Sequence, residues 1–560
     1  MARLLRDLRV LVLDCQAGGA TPAYGDLLEI GWAICDHASI RGPVQQHWVV
    51  PRTERRVPAA IRELTGWNER CISRALPERD AWDALQRDLA RLEAEGPVPT
   101  LIHYARFELP FLHDLHERLD AARTFPFDTL CLHAIGARLF PDLPRRNIRA
   151  LAGFLGHSPD LVRRSGGHVE ASAAIWRGVL PLLEQAGVRT WDELGAWIAD
   201  APPRTRRLRR SYPLELERRR ALPDRPGVYR FLRRNGDVLY VGKAASLRKR
   251  VAGHFKSRGD VTERALELLS QVHDIRTTET PSVLEAALLE ADEIKRIDPP
   301  YNVQLRSGER RAWFASRDLT SAVPAPDDAH RIGPLPSERS LSSSYALVAL
   351  AAGEPPTALL RAIALAVPTA FLPDDALFQE GWQIFAAEHL DRPERSAARR
   401  VDCAARALWL ARGRKELEST LQQDAPPHLW DVTRVRRRLE RGLVQPGLLM
   451  RRARWLGLLS SADVAYREAS MPGARGLIVE RGEIRERVDL PELAALAALP
   501  VRRWPRKQAR QQVFDASVYD RLRVLATELQ RVREEGGEVA LRFGRRVLAG
   551  PRLHGLMGLV

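Results

Sequence analysis

Six side chains near the middle of the sequence have the types and spacing to act on a phosphate ester. They are the tyrosines Tyr229 and Tyr240, the clustered cations Arg248, Lys249 and Arg250, and the carboxylate Glu290. Glu290 stands seven residues after Val283 and four before Ile294, on a stripe that also holds Ala287 and Ile297. That spacing puts a carboxylate on a mostly apolar helix face. An ionised group there is costly unless it is paired or binds a metal. Hard carboxylate oxygens suit a divalent cation, and the nearby cations suit a phosphate. The residues alone leave a plainer account open, with a glutamate at the edge of the stripe or in a salt bridge and tyrosines that only pack their strands.

Local signals place these side chains. The run GVYRFLRRNGDVLYVGK (227–243) holds two β-prone stretches around Asn235-Gly236. That dipeptide predicts a type I′ hairpin turn, with positive φ at both central residues, so Tyr229 and Tyr240 fall on neighbouring antiparallel strands. SLRKRVAGHF follows as a short basic helix capped by Ser246. SVLEAALLEADEIKRI (282–297) is a second helix, and Ser282 with Glu285 predicts a capping box.

This segment resembles the GIY-YIG nucleases, above all the N-terminal domain of the UvrC excinuclease subunit and the single-domain nuclease Cho. The first motif is Gly227-Val228-Tyr229 and the second Tyr240-Val241-Gly242, followed by Lys243. The helical arginine matches Arg250, the metal-binding glutamate Glu290 and the terminal asparagine Asn302. The resemblance implies a DNA endonuclease in which Glu290 holds Mg2+ (or Mn2+) and Tyr229 serves as general base or is coupled to it. It implies that Lys243 and Arg250 supply positive charge, while Tyr240 and Asn302 position water, phosphate and helix. The cysteine cluster of many UvrC relatives is missing, and no second nuclease with helix-hairpin-helix elements is legible, which points to a single cut.

A second constellation lies near the N-terminus. LRVLVLDCQ (8–16) reads as a buried strand, LLEIGWAIC (27–35) as its hairpin partner and LIHYARFELPFL (101–112) as a strand entering a helix. GGHVEASAAIW (166–176) begins another helix. The order resembles the DEDDh 3′–5′ exonucleases, whose fold is RNase H-like. That family places four carboxylates and a histidine around two metals. Here Asp14 and Glu108 stand at two of the acidic positions and His168 at the histidine, but Gln16 and Ala173 replace the other two acids. Two carboxylates bind a pair of hard cations poorly. Glu170, on the same helix as Ala173, is a conceivable substitute. The resemblance therefore implies an exonuclease-like module, impaired in catalysis and kept for binding DNA.

The rest of the sequence frames these sites. Lysine and arginine total 87 against 71 acidic residues, a net +16 that suits a polyanionic partner, although an arginine-favouring GC-rich genome gives the same excess. The five cysteines form no CxxC pair, which argues against a disulfide framework, a zinc finger or an iron–sulfur cluster. Arg3, Arg6 and Asp7 interrupt any signal peptide, and no long apolar run appears, so a soluble cytoplasmic protein without a membrane is expected. The expected class is a multidomain α/β chain. An RNase H-like exonuclease fold spans 1–195, a basic linker 196–220, a small α/β GIY-YIG domain 221–305, an extension 306–344 and an α+β region 345–560. Arg206 and Arg207 in the linker, with Arg248 and Lys249, are candidate DNA contacts. Trp455 and Trp504 stand beside arginines, where they could stack on a base or simply pack a core.

Together these readings describe a DNA repair endonuclease making one metal-dependent incision, in the manner of nucleotide excision repair and served by damage-recognition proteins. Two alternatives stay open, an active exonuclease plus endonuclease and a non-catalytic DNA-binding adaptor.

Overall fold

The computed structural model describes residues 3–53, 55–92, 96–158, 163–200, 211–255, 261–303, 312–408, 430–500, 516–550 and 553. The chain is mixed α/β. Its N-terminal sheet contains β1 (Val10–Ala17), β2 (Leu27–Cys35), β3 (Ile40–Trp48), β4 (Val98–Ile102) and β5 (Phe127–Cys131), in the order β3-β2-β1-β4-β5. The first three strands form an antiparallel meander, while β4 runs parallel to both β1 and β5. This is an RNase H-like sheet. Strand β1 is buried along its whole length, as its run of Val and Leu requires at the centre of a covered sheet. Helix Ser165–Gln185 lies against β1 and β2. Gly31 makes that approach possible, because a Cβ there would stand 2.7 Å from the Ser165 hydroxyl.

The central sheet is small, with β6 (Gly227–Leu232), β7 (Val238–Ala244) and β8 (Asp274–Glu279) in the order β7-β6-β8. Its hairpin turn departs from the type I′ expectation. Among residues 233–237 only Gly236 has positive φ, and its N–H donates to the Arg233 carbonyl at 3.0 Å. Arg234 and Asn235 are thus the central residues of the turn, with glycine in the left-handed position after them. Asn235 uses its carboxamide oxygen to accept from the Asp237 N–H, which stabilises this longer loop.

Past the central sheet come β9 (Trp313–Ser316), β10 (Ala322–Val323) and β11 (His330–Leu335), then a helical stretch ending in the long helix Val432–Leu459. A five-stranded antiparallel sheet follows, built from β12 (Asp463–Arg467), β13 (Ala474–Glu480), β14 (Glu483–Leu490), β15 (Glu538–Phe543) and β16 (Arg546–Ala549), in the order β14-β13-β12-β15-β16. Here the Arg481-Gly482 turn has positive φ at both residues, the type I′ geometry. Helix Ala516–Glu534 buries Val518, Leu522, Leu525, Leu529 and Val532, the face its periodicity marks. Trp455 is buried in the same core, and Trp504 lies outside the described residues.

The chain forms two compact units. One comprises Met1–Arg225, Tyr229–Thr278 and Pro299–Val303; the other comprises Pro226–Val228, Glu279–Asp298 and Gln304–Val560. Among the described residues, no helix is long and apolar enough to cross a membrane.

Candidate active sites

In the first unit, Tyr229 is fully buried on β6, and its hydroxyl lies 2.7 Å from Nε2 of His254. His254 is the last residue of helix Leu247–His254, whose N-terminus Ser246 caps by accepting from the Lys249 N–H at 3.2 Å. Burial, reinforced by the Arg250 charge, pushes the His254 imidazole down to about 4. It is therefore neutral near pH 7, and in its Nδ1–H tautomer Nε2 accepts from the phenol. Burial raises the Tyr229 phenol well above its ordinary range, Tyr240 adds to the rise, and the Arg250 guanidinium opposes it. The rings of Tyr229, Tyr240 and His254 form a cluster with centroids 5.7 to 6.0 Å apart.

Two residues of this group act on the backbone. Asn302 is buried, and its carboxamide accepts from the Val241 N–H and donates to the Val241 carbonyl, both at 2.9 Å. This two-point clamp fixes the strand between Tyr240 and Gly242. A Cβ on Gly242 would lie 2.5 Å from the Tyr229 hydroxyl and 2.7 Å from the Tyr240 ring, so only glycine fits beside both tyrosines. Lys243 is half-buried one residue further along β7, and Arg250 is exposed on its helix. Arg248 and Lys249 are also exposed and share Asp224 as counter-charge at 3.0 and 3.8 Å. Arg206 and Arg207 lie outside the described residues.

Glu290 belongs to the second unit, half-buried on helix Val283–Ile297. The buried side of that helix is carried by Leu284, Leu288 and Ala291 together with Ala287 and Ile294. The stripe read from the sequence is therefore displaced, since Val283 and Ile297 are only half-buried. Glu290 sits at its border, where a hard carboxylate oxygen remains suited to a divalent cation. The predicted capping box is half formed. Ser282 accepts from the Glu285 N–H at 3.1 Å, but the Glu285 carboxylate turns away to the Tyr466 hydroxyl and Arg475 Nε, at 3.1 and 2.8 Å. Glu468 caps instead, accepting from the Val283 and Leu284 N–H groups at 3.2 and 3.0 Å. A half-buried arginine outcompetes the helix's own terminus for Glu285.

The N-terminal constellation comes together inside the first unit. Asp14 is buried on β1 and meets Nδ1 of His168 at 2.9 Å. Glu108 is buried, and its Oε2 accepts from the Cys15 N–H at 2.7 Å. Burial, and then the Asp14 charge, push the Glu108 carboxyl well above its ordinary range. Gln16 donates to the Arg163 carbonyl at 2.7 Å. Oδ2 of Asp14 and Oε1 of Gln16 are buried without a hydrogen-bond partner. Those oxygens and Glu108 suit one divalent cation, but their two negative charges are too few for a pair. Ala173 is fully buried, whereas Glu170 is exposed and does not replace the missing acid.

Sequence reading missed His254, although its place four residues after Arg250 was available as a signal. It also missed Glu29, which is fully buried opposite Gln16 in the β1–β2 register. Its carboxylate accepts from Arg164 Nε at 2.5 Å and from the Ser165 N–H at 2.9 Å. Burial raises this carboxyl too, with Arg164 opposing.

Residues 225–303 match the model of the UvrC-like GIY-YIG domain. A protein of Mycobacterium tuberculosis named a bifunctional exonuclease/endonuclease is 26% identical over 361 residues, covering 62% of this chain and 53% of the relative. UvrABC system protein C of a Psychrobacter species is 51% identical over 98 residues, covering 17% of this chain and 16% of that protein. The chain thus spans only about half of the first relative and a small part of the second. The solved N-terminal endonuclease domain of UvrC from Thermotoga maritima, bound to magnesium, is 31% identical, with a TM-score of 0.14, covering 16% of this chain and 93% of that one. Residues 225–303 are a UvrC-like GIY-YIG domain, in a chain related beyond it to a bifunctional exonuclease/endonuclease.

Proposed function

We propose that this protein is a metal-dependent DNA endonuclease that makes a single-strand incision during excision repair. The observation that carries the reading is the Tyr229–His254 hydrogen bond, set inside a segment that matches the UvrC-like GIY-YIG domain. Glu290 would hold a divalent cation, Mg2+ or Mn2+, through its carboxylate oxygens. When bound, that cation supplies positive charge to the scissile phosphate and the leaving oxygen.

The chain's own residues do the rest. Tyr229 takes a proton from the attacking water as it passes its own to Nε2 of the neutral His254, so a free phenolate is not needed. This coupling spares the buried phenol a free negative charge. Arg250 and Lys243 stabilise negative charge developing on the phosphate. Tyr240 lines the same ring cluster, and Asn302 holds β7 in place. Arg248 and Lys249, with Arg206 and Arg207 of the basic stretch, contact the DNA backbone. Damage-recognition proteins deliver the enzyme to its substrate.

The exonuclease-like module is read as catalytically impaired and retained to bind DNA. Supporting this are Gln16 and Ala173 at two acidic positions, and the capture of Glu29 by Arg164. The test uses Mg2+ with nicked, branched and lesion-bearing DNA. Wild-type protein incises at least one of these, and Tyr229→Phe does not. A wild type that cuts none of them sinks the endonuclease reading. End-labelled laddering that disappears in Asp14→Ala would instead establish an active exonuclease.

A further inference from the structure

The helix that carries Glu290 is built into the C-terminal sheet. At its N-terminal end, Glu468 of the loop after β12 accepts from two free helix N–H groups, and Arg531 Nη2 holds the same carboxylate at 2.8 Å. A carboxylate there also complements the positive end of the helix. Tyr466 on β12 meets the Ser282 hydroxyl at 2.7 Å and the Glu285 carboxylate at 3.1 Å. Arg475 on β13 meets Glu285 at 2.8 Å. Toward the C-terminal end, Lys295 pairs with the buried Asp520 at 2.6 Å, and Asp292 with Arg521 Nε at 2.9 Å. Between these clamps Leu284 and Leu288 enter one core with Leu456, Val464, Leu525 and Leu529.

Glu290 lies between the two polar clamps. A fifteen-residue helix is marginal alone, so packing must stabilise it. A slip of one residue would turn Glu290 by about 100° around the axis. A buried network with its hydrogen bonds made tolerates one arrangement only.

We propose that the C-terminal sheet is the positioning platform of the metal-binding glutamate, with Glu468 and Asp520 as positioning residues that set how tightly Glu290 takes its cation. The proposal rests on the endonuclease reading above for the role of Glu290.

The test uses the full chain and Mn2+ alone, without DNA. Electron paramagnetic resonance measures the Mn2+ bound by wild type and lost in Glu290→Gln, and amide hydrogen exchange follows residues 283–297. Glu468→Ala weakens that Mn2+ site about tenfold or more, the usual effect of removing a supporting partner. It also speeds exchange in 283–297 and leaves β1 unchanged. Glu468→Gln, which keeps an acceptor oxygen for the helix N–H groups, recovers part of both. If Glu468→Ala does not fold, Asp520→Asn carries the same readouts from the other clamp. A loosened helix with unchanged Mn2+ affinity overturns the proposal, as does a variant that leaves exchange unchanged. A wild type that binds Mn2+ through Glu290 but cuts no DNA sinks the endonuclease reading alone. No Mn2+ site dependent on Glu290 sinks both.

Discussion

The N-terminal and central sites bury titratable groups in opposite ways. Around β1, two carboxylates are buried together, and the Asp14 charge adds to the burial that makes Glu108 harder to ionise. Around β6, a phenol meets an imidazole that burial keeps neutral, beside an arginine. The first arrangement is satisfied by bringing in positive charge. The second is satisfied by the protein's own neutral imidazole. The two sites therefore differ less in burial than in what completes them. A site that relies on several carboxylates is weakened by each acid it loses, whereas one that relies on a single carboxylate with neutral and cationic helpers keeps its chemistry in fewer residues.

The largest test of this contrast is Glu290→Gln. Incision should fall about a thousandfold, because a bound cation supplies several kcal/mol of transition-state stabilisation. Asp14→Ala should leave incision unchanged, as measured on the same labelled substrate. Equal losses would mean that the two sites work as one.

Next is Tyr229→Phe, which should slow incision about a hundredfold or more, the usual contribution of a positioned acid–base group. Gly242→Ala should lower stability by about 1–3 kcal/mol in denaturant unfolding, since its methyl overlaps Tyr229.

The pH dependence of stability separates the sites by sign. The depressed His254 contributes stability that is present above 6.5 and is lost as pH falls through about 4. The raised Glu108 contributes stability that is present below 4.5 and is lost as pH rises toward its shifted value. Melting temperature against pH should therefore lose its acid-side slope in His254→Gln and its opposite slope in Glu108→Gln. The same slope in both variants would remove the distinction.

A smaller effect is expected from restoring acids. Gln16→Glu with Ala173→Asp should melt at lower temperature without metal and regain the difference in Mg2+, as added carboxylates repel Asp14 and Glu108 until a cation arrives. The smallest belongs to the exposed cations. Arg248→Ala and Lys249→Ala should each weaken DNA binding on all sequences and reduce the salt slope by about one.

How much was legible depended on whether a signal was local. The strands 8–16 and 27–35 could be read from apolar runs, and the helix face from Val518 to Val532 from its period. The Ser246 and Ser282 caps were legible because each partner lies three residues away. The second half of the Ser282 box was not, because Glu285 is taken by Tyr466 and Arg475 from a distant part of the chain. Glu29 was hidden for the same reason, as only strand pairing puts it opposite Gln16. At the central hairpin Asn-Gly signalled a turn, but not which residues would occupy its centre, a choice made by the strand ends. His254 lay within reach of a local rule, and its neutral state needed the burial that only the fold supplies.

The cap supplied by Glu468 also has a consequence in time. It stands 185 residues beyond the helix N–H group it serves. At a synthesis rate of about 5–20 residues per second, the nascent helix waits about 10 to 40 s for that carboxylate to leave the ribosome. During that interval the Glu290 helix lacks both its cap and its floor, so it reaches its final packing only late in translation.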